Sequence, residues 1–279
     1  MKKICFSIVH FLLLAAACSL SPNALAAITC NVSSSGWSTS YASSTPAITV
    51  TTANVTMTCT RNLATDPTSQ AYTIKVNNGL SPAGQTNQAS SGANRVNYDN
   101  YLDSACITKW KANTIVSGTV TMGAVGVSSF DTRPFYGCVP AGQTTVATGT
   151  FVDTVTLLPS IGNPATFPVS ISTASACTIS NPIQSINFNY TSFQAAPATA
   201  AANFTATCTS SMPYTLALNT PAGVLAGIAY TLNLSATSAV GNGLAQTFTI
   251  NGSIAAGQVG ICGVGSCTAT QARTVTITY

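Results

Sequence analysis

Side chains able to do acid–base or nucleophilic chemistry are scarce in this chain. Its 279 residues include five acidic side chains, all aspartate, and one histidine, His10. Asp99 and Asp103 lie four residues apart, the kind of carboxylate pair that a glycoside hydrolase would use. Aspartates that bond to nearby backbone groups in a turn are the simpler interpretation. We therefore predict no catalytic residue, no cofactor and no enzymatic activity.

The ten cysteines are the other reactive group. Cys5 and Cys18 belong to the N-terminal segment described next, and the other eight form an even set, which in an exported protein indicates disulfides. Metal binding is the alternative interpretation. Only Cys262 and Cys267 are closely spaced, and no histidine accompanies them, so we predict no metal site.

The first residues have the layout of a cleaved secretory signal, which we assign to residues 1–26. Two lysines precede an apolar run from Ile4 to Leu20, and the small residues Ala24-Leu25-Ala26 follow. Export to an oxidising compartment is the consequence. An uncleaved anchor and a lipoprotein cut before Cys18 are the alternatives, but Pro22 and the missing aliphatic residue upstream of Cys18 disfavour them.

Charge is sparse as well: only 5% of the residues are charged. The basic residues are scattered and form no patch, so we predict no nucleic-acid partner. Abundant threonine and valine, together with turn dipeptides such as Asn78-Gly79 and Asn251-Gly252, indicate many short strands and a β-sandwich in each half of the chain. No stretch has helical periodicity.

Short segments recur in the same order in the two halves, which indicates two related domains. The matching segments are 53–60 with 202–209, 72–77 with 214–219, 141–143 with 256–258, and 153–157 with 273–277. The cysteines repeat too, because 29 residues separate Cys30 from Cys59 and 31 separate Cys177 from Cys208. Eight cysteines allow about 105 pairings. The pairs that the repeat favours are Cys30–Cys59 and Cys177–Cys208, which leaves Cys106–Cys138 and Cys262–Cys267.

Both halves resemble the spore coat protein U domain of pilins from archaic, Csu-type chaperone–usher pili. The features that match are the opening cysteine, the Thr-x-Thr-Cys-Thr strand at 56–60, the Tyr-Thr-Leu strand at 214–216 and the closing strand at 274–279. The resemblance implies incomplete immunoglobulin-like sandwiches, each completed by a donor strand from the next subunit. It also implies a periplasmic chaperone and an outer-membrane usher as partners.

Taken together, these observations predict an all-β protein with two immunoglobulin-like β-sandwiches in tandem. We place an N-terminal domain at 27–160, a linker and candidate cis donor strand at 161–176, and a C-terminal pilin domain at 177–279. The C-terminal domain ends directly after its Thr-Val-Thr-Ile-Thr strand, so we expect it to lack its last strand. Only residues 27–29 separate the expected cleavage site from Cys30, too few for a donor segment, which favours a tip subunit.

Residues 165–172 alternate in character and place Phe167, Val169 and Ile171 on one face. We hypothesise that this run is the donor strand of the N-terminal domain, held in cis. A strand that belongs only to the C-terminal domain is the alternative, and Pro168 disfavours a central position.

The predicted function is a non-enzymatic tip adhesin at the cell surface that mediates attachment to an abiotic or host surface and biofilm formation. Apolar residues displayed on loops would make the contact, although the same side chains could cap the sandwich core. The candidates are Trp37, Tyr41, Leu80, Pro82, Val139 and Pro140. A secreted, non-polymerising spore-coat-like or matrix protein is the alternative.

Overall fold

The computed structural model describes residues 28–42, 47–180, 184–261 and 268–279. Within these ranges the chain forms eighteen strands and no helix, so the prediction of an all-β fold is confirmed. The strands are β1 Ile28–Ser33, β2 Trp37–Tyr41, β3 Thr49–Arg61, β4 Ser69–Val76, β5 Asn87–Ser91, β6 Asn94–Tyr101, β7 Val116–Thr121, β8 Ser128–Val139, β9 Gly149–Pro159, β10 Ala165–Thr173, β11 Cys177–Ile179, β12 Ala198–Cys208, β13 Pro213–Leu218, β14 Ala222–Leu225, β15 Ile228–Leu234, β16 Ser238–Val240, β17 Ala245–Ile254 and β18 Val275–Thr278.

The strands follow from period-two alternation of apolar and polar residues. In β3, Val55, Met57 and Cys59 are buried while the threonines between them are more exposed. β12 has the same pattern around Phe204 and Cys208. Since alternate side chains point to opposite faces of a strand, each of these strands covers a core with one face and meets solvent with the other.

The first sandwich is built from β1 to β10. One of its sheets has the order β1-β3-β8-β6; in the other, β9 pairs with β4, β5 and β10, β4 also pairs with β7, and β10 pairs with β2. Strand β6 pairs with both β5 and β8 and so joins the two sheets. Between them lies a closed core that contains Trp110, Phe135 and Phe151, each without solvent exposure.

The second sandwich has fewer strands. One sheet has the order β11-β12-β17-β15-β14 and the other contains only β16-β13-β18. Its core centres on Phe204, Tyr214 and Phe248, and many of the apolar residues that pack against these are only partly buried. The core is therefore less completely covered than the first one.

The described residues contain three disulfides, and they are three of the four predicted pairs. Cys30–Cys59 joins directly opposed residues of β1 and β3, and Cys177–Cys208 does the same for β11 and β12, with a Cα–Cα distance of 4.1 Å in each case. Cys106–Cys138 ties the loop after β6 to β8. The predicted Cys262–Cys267 pair and the predicted signal at 1–26 lie outside the described residues.

One of the four predicted segment matches is shifted in the structure. The Asn77 N–H donates to the Thr156 carbonyl (3.2 Å), and the Asn219 N–H donates to the Thr274 carbonyl (3.0 Å). Thr274 is therefore the counterpart of Thr156, whereas the sequence match had paired it with Thr154. The error arises because a Thr-Val-Thr pattern of period two matches itself equally well after a slip of two residues.

Candidate functional site: an uncovered sheet edge in the second sandwich

Strand β10 completes the first sandwich. It pairs antiparallel with β9 along nine residues and parallel with β2 along five. Phe167, Val169 and Ile171 point inward and have no solvent exposure, and the Phe167 ring lies 5.3 Å from that of Phe135. The chain thus inserts this strand between two earlier ones and closes the core.

A hydrogen bond that occurs in both sandwiches locates the counterpart of β2 in the second sandwich. The Tyr41 hydroxyl accepts from the Gln143 N–H at 2.9 Å, and the Tyr190 hydroxyl accepts from the Gln258 N–H at 2.7 Å. Gln143 and Gln258 belong to the repeated Ala-Gly-Gln segments. Residues 186–190 therefore correspond to β2.

Close glycine contacts support the same equivalence. A Cβ placed on Gly137 of β8 would collide with Trp37 in β2. A Cβ on Gly252, at the matching point of β17, would collide with Phe188 and come close to Ile186. In both sandwiches a glycine makes room for a large side chain from the same segment.

The segment opposite residues 186–190 consists of β18 and the residues before it, and it corresponds to β9. Tyr98 donates to Asp153 at 2.7 Å in the first sandwich, and Tyr230 bonds to Gln271 at 2.5 Å in the second, so Gln271 is the counterpart of Asp153. Residues 268–274 therefore match the part of β9 that pairs with β10. They form no strand, whereas their counterparts in β9 do.

No described strand occupies the space between residues 186–190 and β18. The apolar side chains along its borders are only partly buried: Ile186, Phe188, Tyr190, Val275 and Ile277. Their counterparts in the first sandwich include Trp37 and Tyr41, at 6% and 2% exposure. An apolar groove bordered by backbone without a ladder partner can accept an extended strand. We call the space bordered by 186–190 and 268–278 the acceptor groove.

Sequence reasoning predicted an incomplete second sandwich but missed the residues that line it. The alternation Ile-x-Phe-x-Tyr at 186–190 was a usable signal, because it has the period of a half-buried strand. The alternation alone does not say what lies beside it, however, and the correspondence of Tyr190 with Tyr41 becomes visible only through their hydrogen bonds.

The adhesive-loop candidates divide into two groups. Trp37 and Tyr41 lie in β2 and Val139 ends β8, and all three are buried in the first core, so their prediction as exposed loop residues was wrong. Large rings and a branched side chain are stabilised more by core burial than by display to water. Leu80, at 73% exposure, and Pro82 and Pro140 are exposed in loops.

The carboxylate pair considered as a hydrolase site has two unrelated roles. Asp103 accepts from the backbone N–H groups of Thr108 (2.7 Å) and Ile107 (3.0 Å), and these bonds lower the pKa of its carboxyl. Asp99 is buried and forms ion pairs with Lys109 and Lys111.

Among the described residues no group of three or more His, Cys, Asp or Glu side chains is arranged to hold a metal ion. Nor do they contain a helix of the length and apolarity that crossing a membrane requires.

Solved structures that resemble this chain include two tip-adhesin structures with low sequence identity. The chaperone–tip adhesion subunit pre-assembly complex (CsuC–CsuE) of archaic Csu pili from Acinetobacter baumannii matches with 16% identity and a TM-score of 0.48, covering 90% of this chain and 100% of that one. The CupB6 tip adhesin from Pseudomonas aeruginosa matches with 10% identity and a TM-score of 0.36, covering 90% and 95%.

No curated protein sequence matches this chain. The family model described as Spore Coat Protein U domain matches residues 12–157 and 163–240. These two ranges make up most of the chain and include strands of both sandwiches. The protein belongs to the Spore Coat Protein U domain family.

Proposed function

We propose that this protein is a subunit of a chaperone–usher pilus whose second sandwich is completed by a donor strand from another subunit. The proposal rests on a contrast between the two sandwiches. Strand β10 fills the groove of the first sandwich, and no described strand fills the equivalent groove of the second. Family membership supports the proposal.

The first sandwich indicates how the donor would sit. Phe167 of β10 lies opposite Val155 of β9, and Val169 lies opposite both Asp153 and Trp37. The equivalent partners in the acceptor groove are Arg273, Gln271 and Ile186. A donor would run antiparallel to β18 and present an apolar side chain at every second residue. Burial of each such side chain contributes about 1.5–3 kcal/mol, and pairing would convert residues 268–274 into strand.

The assembly partners of such a subunit are a periplasmic chaperone and an outer-membrane usher. An open apolar groove with unpaired edges is a site of aggregation when nothing covers it, so a subunit that crosses the periplasm needs temporary cover. In this proposal the chaperone supplies that cover, the usher exchanges it for a donor strand, and the subunit reaches the cell surface.

The test is a titration of the full, oxidised chain with synthetic peptides from the N-terminal extensions of pilins encoded beside its gene. Both tryptophans, Trp37 and Trp110, lie in the first core, so their fluorescence follows the first sandwich, while far-ultraviolet circular dichroism follows both. The chain is unfolded by heat at each peptide concentration. We expect the unfolding midpoint followed by circular dichroism to rise and saturate, and the midpoint followed by fluorescence to stay unchanged. A ligand that binds only the folded state, present at 100 times its Kd, raises the free energy of unfolding by about 2.7 kcal/mol.

Matched variants identify the site of binding. Phe188→Ser removes a ring that lines the acceptor groove and should abolish the response, whereas Phe130→Ser changes an exposed ring on the first sandwich and should preserve it. A second sandwich that is already stable and indifferent to every peptide would contradict the proposal and favour a non-polymerising coat or matrix protein.

We propose further that the first sandwich carries the adhesive surface at the pilus tip and mediates attachment and biofilm formation. With β10 in its groove, this sandwich needs no donor and leaves its loops free for contact. Leu80 is the large apolar side chain among the exposed loop candidates, at 73% exposure. Leu80→Ser should reduce retention of cells on polystyrene, and Leu63→Ser, at a half-exposed site in another loop, is the control. Equal retention by both variants would remove Leu80 from the proposal.

A further inference from the structure

Asn87, Asp99 and Lys111 form a buried polar cluster in the first sandwich that the proposed function does not use. The Asn87 side chain has no solvent exposure, and those of Asp99 and Lys111 are 5% and 11% exposed. Asn87 opens β5 and Asp99 lies in the adjacent strand β6. Lysine is almost never buried to this degree unless it is paired.

The contacts within the cluster join an amine, an amide and a carboxylate. Lys111 Nζ donates to Asn87 Oδ1 and also lies 2.6 Å from Asp99 Oδ1. The Asn87 backbone N–H donates to the same Asp99 oxygen at 3.2 Å. The amide nitrogen of Asn87, Nδ2, is buried and has no hydrogen-bond partner among the described residues. The lysine amine therefore contacts the carbonyl oxygen of a buried amide, and the side chain of that amide also interacts with the Tyr98 hydroxyl.

We propose that Lys111 and Asn87 become joined by an isopeptide bond within the first sandwich. Asp99 takes one proton from the Lys111 ammonium, and the resulting neutral amine attacks Cγ of Asn87, the carbon bonded to the oxygen that it already contacts. Nζ–Cγ forms and Cγ–Nδ2 breaks. Asp99 carries the two protons lost by Nζ to the departing nitrogen, which leaves as ammonium, and Asp99 is again a carboxylate. No oxidant, metal or cofactor is consumed.

Burial favours the reactive form of the lysine. Removal from water disfavours the charged amine and lowers the pKa of Lys111, a shift that the adjacent Asp99 only partly offsets. Asp99 is also paired with Lys109, whose amine lies 2.6 Å from Oδ2. Two lysines thus share one carboxylate, and Lys109, 43% exposed, is the one that water also solvates. The reaction removes the charge of the buried lysine and leaves a balanced Asp99–Lys109 pair.

The surrounding backbone holds the three groups in place. Trp110, next to Lys111, is fully buried and donates from its ring nitrogen to the Ile74 carbonyl at 3.1 Å. Its backbone N–H donates to the Asn100 carbonyl at 2.7 Å. Asp99 is paired in register with Cys138, which is disulfide-bonded to Cys106. An isopeptide bond would be a second covalent tie between this loop and the sheet.

The test is the intact mass of the full chain, purified after export and reduced to remove the disulfide contribution. We expect a mass lower than that of the mature sequence by one ammonia. Trypsin should release the peptides that contain Asn87 and Lys111 as one branched species, because a lysine acylated on Nζ is not cleaved. An unmodified mass, with Asn87 and Lys111 in separate peptides, would overturn the proposal without the need for any variant.

Three variants separate the chemistry from other losses of ammonia. Lys111→Arg keeps the charge but removes the primary amine, and Asp99→Asn keeps the size but removes the base, so each should have the full mass. Lys75→Arg, at an exposed position of β4, is the matched control and should keep the ammonia loss. If Lys111→Arg still loses ammonia, the modification lies elsewhere and the assignment is wrong.

Discussion

At the scale of the single residue, the inward side chains of β10 close the first core. Phe167, Val169 and Ile171 have no solvent exposure, and Phe167 lies against Phe135. Their neighbours on the strand, Thr166 and Pro168, are exposed. Pro168 pairs with β9 alone, because the pairing of β10 with β2 begins at Val169. The stabilisation that β10 supplies therefore resides in the inward residues.

Removal of one inward ring should measure that stabilisation. Phe167→Ala leaves a cavity in a closed core, and we expect it to lower the free energy of unfolding of the first sandwich by about 3–5 kcal/mol. Thr166→Ala, on the outward face, should change it by less than about 1 kcal/mol. Chemical denaturation followed by tryptophan fluorescence measures both variants. Equal effects would mean that β10 contributes little to this core.

Tyr98 illustrates how far the environment of one residue can depart from that in water. Burial and the neighbouring Asp153 raise the pKa of its hydroxyl far above the ordinary value. The hydroxyl therefore stays protonated and donates its hydrogen bond to Asp153 at 2.7 Å. Asp153 also accepts from the Leu80 N–H at 2.8 Å, so the same carboxylate supports the start of the exposed loop that we propose for adhesion.

At the scale of the element, the decisive feature is which strands have partners. In the first sandwich β2 and β9 are separated and bridged by β10. In the second, residues 186–190 and 268–274 occupy equivalent positions without forming strand. An extended segment without a ladder partner loses the hydrogen bonds that stabilise the strand conformation, so these residues are not strand although their sequence alternates.

Hydrogen exchange on the full chain should reveal this difference directly. We expect the backbone amides of 186–190 and 268–273 to exchange much faster than those of β2 and of residues 150–155 in β9, because exposed and unpaired amides open at little cost. A bound donor peptide should slow exchange in both segments together. Protection equal to that of the first sandwich in the unliganded chain would contradict an open acceptor groove.

At the scale of the whole molecule, the two sandwiches are related copies that differ at one strand position. In the first sandwich β10 occupies that position, and in the second no described strand does. The matching disulfides, Cys30–Cys59 and Cys177–Cys208, tie the first strand to the same partner in each copy. The tyrosine–glutamine bonds at Tyr41 and Tyr190 close equivalent corners. One copy is complete within the chain, and the other has an acceptor groove. In our proposal this asymmetry makes the first sandwich a binding module and the second an assembly module.

The amino-acid sequence by itself determined the fold class, the internal repeat and the pairing of Cys30 with Cys59 and of Cys177 with Cys208. These are local or repetitive properties: period-two alternation places one face of a strand in a core, and equal spacing in two copies predicts equal pairing. The alternation in 165–172 also predicted that Phe167, Val169 and Ile171 share a face.

Only the tertiary structure decided which sandwich contains that strand, whether Trp37 and Tyr41 are exposed or buried, and which residues line the acceptor groove. The physical reason is that the backbone N–H and C=O groups at the edge of a strand can pair with any other strand. The sequence of one strand therefore does not specify which strand lies beside it. The meeting of Lys111 with Asn87 has the same origin. Their contact spans 24 residues and depends on the β5–β6 pairing and on the burial of Trp110, neither of which can be read from their spacing.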